Sequence, residues 1–225
     1  MKILIVTPDR NKRHKRDYTH AFKPESEAFE RDAINDADDD AECRAFEERC
    51  HAPVVIRINQ VSKPDDRRRA LLTAISFHQP ECIAYFGHGF RNSIMQLGIN
   101  ISNIHILAEE ICKHASSPKV IFYACSVADG SAPGGDGGIC DTLRDECVKL
   151  GAKGVTVYGH STAGHTTFNP FVRVFDSSTS KGGEWLVEPG THEWPAWKKA
   201  LKEHPTLRFD YPFMTRAEID EVLGV

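Results

Sequence analysis

None of the seven cysteines in this chain forms a C-x-x-C pair, so neither a zinc ribbon nor a disulfide framework is suggested. Reduced thiols and a cytoplasmic location are the expectation. No apolar run approaches the roughly 20 residues that a membrane-spanning helix needs. The opening stretch, MKILIVTPDRNK, has too short an apolar run for a signal peptide. Nor is there an excess of one charge: the net value of −4 gives no reason to expect a nucleic-acid or membrane partner. What remains is 225 residues, 40% of them hydrophobic, long enough to bury a sizeable core.

Five short runs read as buried strands: 2–7 (KILIVT), 53–58 (PVVIRI), 82–87 (CIAYFG), 120–125 (VIFYAC) and 154–159 (GVTVYG). Each is continuously apolar, the pattern of central parallel strands covered on both faces. Stretches of helical character lie between them, at 25–50, 65–78, 102–114 and 138–150, with Ser102 placed as an N-cap and Gly151 as a C-cap. Strand–helix alternation predicts an α/β fold with a doubly wound parallel sheet. DGSAPGGDGG (129–138) and SSTSKGG (177–183) read as loops. Beyond residue 170 the signals weaken to a short strand near 185–187 and helices near 194–203 and 215–223. No domain boundary is evident.

Two strand ends carry reactive side chains. IAYFGHG (83–89) runs from an apolar strand into Gly-His-Gly, and VIFYACS (120–126) runs from the next strand into Ala-Cys. In an open parallel sheet, ligands bind beyond the carboxyl ends of the strands. A standard crossover makes the two strands neighbours, so His88 and Cys125 are expected at one edge. A thiol with a pKa of about 8.5 is mostly protonated at neutral pH, and a nearby imidazole raises the reactive thiolate fraction. The same imidazole, with a reference pKa of about 6.5, can protonate a leaving amine. Gly89 lacks a Cβ, so its N–H can approach a substrate carbonyl; with the Cys125 N–H it would form an oxyanion hole.

An apolar strand ending in His-Gly, followed by one ending in Ala-Cys, resembles the caspase-like cysteine peptidases, a group spanning caspases, metacaspases, gingipains and CHAT-domain proteases. The resemblance rests on YFGHG (85–89) and FYACS (122–126). It implies a three-layer sandwich, a central mostly parallel sheet with helices on both faces, over a single domain of residues 1–225 whose motif-bearing core is 1–170. It also implies a Cys125–His88 dyad acting through an acyl-enzyme, with no metal or cofactor. The expected partner is a protein or peptide substrate, and activation by a second protein is compatible with the group. VYGHSTAGHTTFNP (157–170) is similar to the segment that lines the substrate groove in caspases, making Ser161, Thr162, His165 and Phe168 pocket candidates. Caspases carry a glutamine two residues before the cysteine and an arginine before the groove asparagine. Here those places hold Tyr123 and Phe168, so specificity for aspartate is not implied. Asp129 and Asp136, in the loop after Cys125, could instead pair with a substrate guanidinium.

Other readings stay open. A caspase fold without catalysis would serve as an interaction module. GHSTA (159–163) approximates the G-x-S-x-G nucleophile elbow, with Ser161 as nucleophile of a serine hydrolase, although Ala163 replaces the last glycine. His88, Cys125, His160 and His165 include zinc-compatible donors but lack a recognisable ligand spacing. RNKRHKR (10–16) and DADDD (36–40) read as solvated charge runs.

Overall fold

The computed structural model describes residues 1–9, 22–34, 51–60, 62–130, 138–164, 169–178 and 183–225. The basic run at 10–16, the second half of the helix expected at 25–50 and most of the glycine-rich loop lie outside the described residues.

The five expected strands form, within a residue or two of their expected bounds: β1 (Lys2–Pro8), β2 (His51–Ile58), β3 (Cys82–Phe86), β6 (Lys119–Tyr123) and β7 (Thr156–His160). A small antiparallel ribbon, β4 (Ser93–Ile94) and β5 (Ile99–Asn100), follows β3. β8 (Val172–Asp176) and β9 (Glu184–Trp185) complete a seven-stranded sheet of order β2-β1-β3-β6-β7-β8-β9. The first five strands are parallel; β8 and β9 are antiparallel additions, so the sheet is mostly rather than wholly parallel.

Successive residues of a strand alternate between faces, and this divides the core in two. Leu4, Val6, Ile83, Tyr85, Val120 and Phe122 pack against α2 (Pro64–His78), α3 (Ile104–Cys112) and α4 (Gly138–Lys149). Ile3, Ile5, Ala84, Phe86, Ile121 and Tyr123 pack against α1 (Phe22–Ile34) and the C-terminal helices α5 (Trp194–Glu203), α6 (Leu207–Asp210) and α7 (Arg216–Leu223). Each large apolar side chain so buried contributes about 1.5–3 kcal/mol relative to exposure. The strand order reverses between β1 and β3, with α1 covering one face and α2 to α4 the other. Beyond the carboxyl ends of the strands on either side of such a reversal, an α/β sheet leaves a crevice.

Helix ends follow local chemistry. Pro64 opens α2, with Asp65 and Asp66 in its first turn, where a helix dipole favours negative charge. Past α4, Gly151 at φ +89° lets its own N–H reach Val148 O and the Ala152 N–H reach Cys147 O, closing the helix with a Schellman pair. Ser102 does not cap α3 as expected. Its hydroxyl bonds the Asn100 side chain at 2.5 Å, and the helix begins at Ile104 after Asn103. The Asn103 amide is held between Asn100 N and Gly98 O.

Candidate active site

β3 and β6 are adjacent and parallel, with Phe86 opposite Tyr123. Carrying that register two residues past each strand end sets His88 level with Cys125. Both positions are partly exposed, whereas the strand residues leading to them are buried.

The missing Cβ atoms of the two glycines serve the packing of the turns themselves. A Cβ on Gly87 would run into the Tyr85 hydroxyl and come within 2.6 Å of Gln96 Oε1. A Cβ on Gly89 would collide with Val127 Cγ1, lie 2.8 Å from Ala124 Cβ and 2.9 Å from the Cys125 carbonyl oxygen. Gly87 therefore admits a hydrogen-bonded pair of side chains, and Gly89 docks the His88 turn onto the Cys125 turn. Among the described residues, neither the Gly89 nor the Cys125 amide N–H has an acceptor.

The backbone of His88 is held on both sides. Its N–H donates to Gln96 Oε1 at 2.7 Å, and its carbonyl accepts from the Tyr85 hydroxyl at 3.1 Å. Tyr85 also reaches Gln96 Oε1 at 2.9 Å. Burial pushes the Tyr85 hydroxyl well above its ordinary pKa, outweighing the opposite pull of Arg67, so it stays a donor. The His88 ring meets the buried Phe22 ring edge-on, with centroids 4.9 Å apart.

Cys125 opens a tight turn. Ser126 takes a left-handed conformation at φ 55°, uncommon for a residue with a side chain, and strain of this kind clusters at functional sites. The turn is tied to the end of β7 and the chain just past it: Ala128 N–H reaches His160 O at 3.0 Å, and Ser126 N–H reaches Thr162 O at 3.2 Å. The Cys125 thiol donates to Gly164 O at 3.3 Å. Burial pushes the thiols of Cys140, Cys147 and Cys112 up.

The 161–164 segment forms the wall on the β7 side. Thr162 Oγ1 and Asn169 Oδ1 lie 3.2 Å apart, Asn169 Nδ2 donates to Thr162 O, and Asn169 Oδ1 also accepts the Phe171 N–H. The asparagine, buried at 7% exposure, thus ties the base of the loop. Trp197 of α5 donates its indole N–H to Pro170 O at 3.1 Å, so the C-terminal helices brace this wall. His165 and Phe168, the other two pocket candidates, lie outside the described residues.

Comparison with known proteins finds no family model that matches the chain and no curated protein whose sequence matches it. The functional reading rests on geometry and chemistry.

Ser161 fits no nucleophile elbow. Its N–H and hydroxyl both point to Phe171 O, at 2.9 and 3.4 Å, and the next element among the described residues is the antiparallel strand β8 rather than a helix. His160 is buried rather than open at the sheet edge: it is 1% exposed, and neither ring nitrogen has a hydrogen-bond partner among the described residues. No group of three or more metal-ligating side chains occurs among the described residues. Asp129 is exposed just past the Cys125 turn, within electrostatic reach of the buried Arg173, whose guanidinium bonds Ala128 O. Asp136 lies outside the described residues. No described helix is long and apolar enough to cross a membrane. The sequence alone did not single out Tyr85, Gln96 or the tie made by Asn169. Tyr85 stands within YFGHG and Asn169 within GHTTFNP, so both were close to a signal, but Gln96 carried none.

Proposed function

We propose that the protein is a cysteine endopeptidase of the caspase-like type, in which Cys125 is the nucleophile and His88 the general acid–base. The observation that carries this reading is the pairing of β3 with β6, which ends with Phe86 opposite Tyr123, two residues before His88 and Cys125 respectively. The close seat of Gly89 against the Cys125 carbonyl supports it by joining the two turns.

In this mechanism the substrate carbonyl enters beside Cys125. His88 accepts the thiol proton, which in the resting structure points at Gly164 O, and the sulfur attacks the carbonyl carbon. The Gly89 and Cys125 amides donate to the developing oxyanion, each worth roughly 3–4 kcal/mol in the transition state. His88 returns the proton to the leaving amine, giving an acyl-enzyme. Water, deprotonated by the same imidazole, then releases the acyl group and restores the thiol. No metal or cofactor is needed for these steps, and the exposed Asp129 is the candidate to pair with a basic substrate side chain.

Cys125→Ala and His88→Ala should each abolish hydrolysis of peptide reporters bearing Asp, Asn, Arg or Lys before the scissile bond, while both variants keep the parental circular dichroism. Undiminished hydrolysis in either folded variant rejects the assignment.

A further inference from the structure

The turn after β3 is held by side chains that take no part in the proposed chemistry. Gln96 sits in the short helical turn between β4 and β5 (Met95–Leu97), eight residues beyond His88 in the chain. Its Oε1 accepts two hydrogen bonds, one from the His88 N–H and one from the Tyr85 hydroxyl. The Tyr85 hydroxyl also lies 3.1 Å from the His88 carbonyl. Both peptide groups flanking the His88 side chain are thereby tied to one amide oxygen and one phenol, and Gly87 is the residue whose missing Cβ lets them in.

The turn that carries Gln96 is itself anchored. Arg67 of α2 donates to Met95 O at 3.1 Å and to Gln60 O and Ser62 O. Gln60 Nε2 donates to Gln96 O at 3.3 Å and to Ile58 O at 2.8 Å. Arg68 and Asn103 both donate to Gly98 O. Leu97, buried at 2% exposure, packs into the core under α2. A chain of contacts therefore runs from the end of β2, through α2 and the ribbon turn, to the backbone of His88.

The geometry points to Gln96, seconded by Tyr85, as the positioning residue that aims the His88 imidazole at Cys125. This rests on the peptidase reading above. The bond from the His88 N–H to Gln96 Oε1, with the Tyr85 hydroxyl shared between that oxygen and the His88 carbonyl, fixes where the His88 Cα sits, and hence the direction from which the ring leaves it. Phe22 then limits the ring by an edge contact. Misplacement of a catalytic group by about 1 Å costs on the order of 100-fold in rate.

The test compares Gln96→Leu, Gln96→Glu and Tyr85→Phe with the parent and with His88→Ala. Gln96→Leu removes the shared acceptor; Gln96→Glu keeps an oxygen in its place. Hydrolysis of the peptide reporter should show kcat reduced about 10- to 100-fold in Gln96→Leu with KM within twofold, a smaller loss in Tyr85→Phe, and recovery in Gln96→Glu.

A second readout needs no turnover: the pH profile of Cys125 alkylation by iodoacetamide, followed by peptide mass mapping. In the parent this profile should depend on His88, and Gln96→Leu should shift it to that of His88→Ala, whereas Gln96→Glu should not. A Gln96→Leu profile and kcat equal to the parent's overturn the positioning role, as does a loss that Gln96→Glu fails to restore. If Gln96→Leu does not fold, Tyr85→Phe decides in its place: a lowered kcat with a shifted profile supports the role, and parental values for both overturn it. Failure of the peptidase reading looks different: the alkylation profile is then indifferent to His88→Ala itself.

Discussion

Gly89 shows how one missing side chain holds two turns together. Its Cα faces Val127 Cγ1, Ala124 Cβ and the Cys125 carbonyl oxygen so closely that a methyl group has no place. The carbonyl is backbone and can move only if the candidate nucleophile moves with it. Gly89→Ala should therefore destabilise the fold by about 1–3 kcal/mol, the usual cost of overpacking, and lower peptide hydrolysis by more than the stability loss explains. Gly164 offers the contrast on the opposite wall, where the nearest atom to a Cβ would be Asn169 Nδ2 at 3.4 Å. Gly164→Ala should unfold in urea close to the parent. Equal midpoints for Gly89→Ala and the parent would show that the turns are not packed as described.

Among the elements, the strands were legible because their sequences leave little choice. KILIVT, CIAYFG and VIFYAC are apolar without alternation, which only a strand covered on both faces accommodates in so few residues. β8 was not legible. Its run, Val172–Asp176, includes Arg173, which reads as a solvated charge yet is 6% exposed, lying over Phe175 and Trp185 with one nitrogen on Ala128 O. The β4–β5 ribbon has two residues per strand, below what any periodicity can report. The same limit hid Gln96, an amide between Met95 and Leu97 whose meaning comes only from the turn it folds against. His88 and Cys125 were readable because they follow strands that were themselves readable.

Helix starts divide in the same way: Ser102 had the right residue type for a cap but lost its hydroxyl to Asn100, whereas Thr215 caps α7. Thr215 accepts the Glu218 N–H at 3.3 Å, and Glu218 reaches back to the Thr215 N–H, a reciprocal capping box. Thr215→Ala should cost about 1 kcal/mol in urea unfolding. Because α7 packs Ile219 and Leu223 on the sheet face away from α2 and from the ribbon turn that carries Gln96, the loss should fall on stability and leave the backbone ties of His88 alone. A kcat change without a stability change would contradict that separation.

At the scale of the whole molecule, the buried His160 couples the fold to acidity. It lies on β7 with both ring nitrogens unpartnered among the described residues, and burial lowers its pKa to about 4 from the ordinary 6.5. The folded chain therefore holds this imidazole neutral at pH values where the unfolded chain protonates it. Between about pH 6.5 and pH 4 the unfolded state binds more protons, so stability falls as pH is lowered through that window. The full loss, reached below about pH 4, is on the order of 3 kcal/mol, from the cost of each pKa unit. The strand that would yield is the one whose continuation accepts the Cys125 thiol and the Ser126 N–H, so acid should loosen the site's wall as it loosens the fold. His160→Leu removes both the proton-binding group and the unpaired nitrogens. Urea unfolding measured from pH 7 down to pH 4 should lose less stability in His160→Leu than in the parent, by about that amount. Parallel curves for the two proteins would mean that His160 finds a partner or takes up its proton without unfolding, and the acid sensitivity would then have to come from the carboxylates.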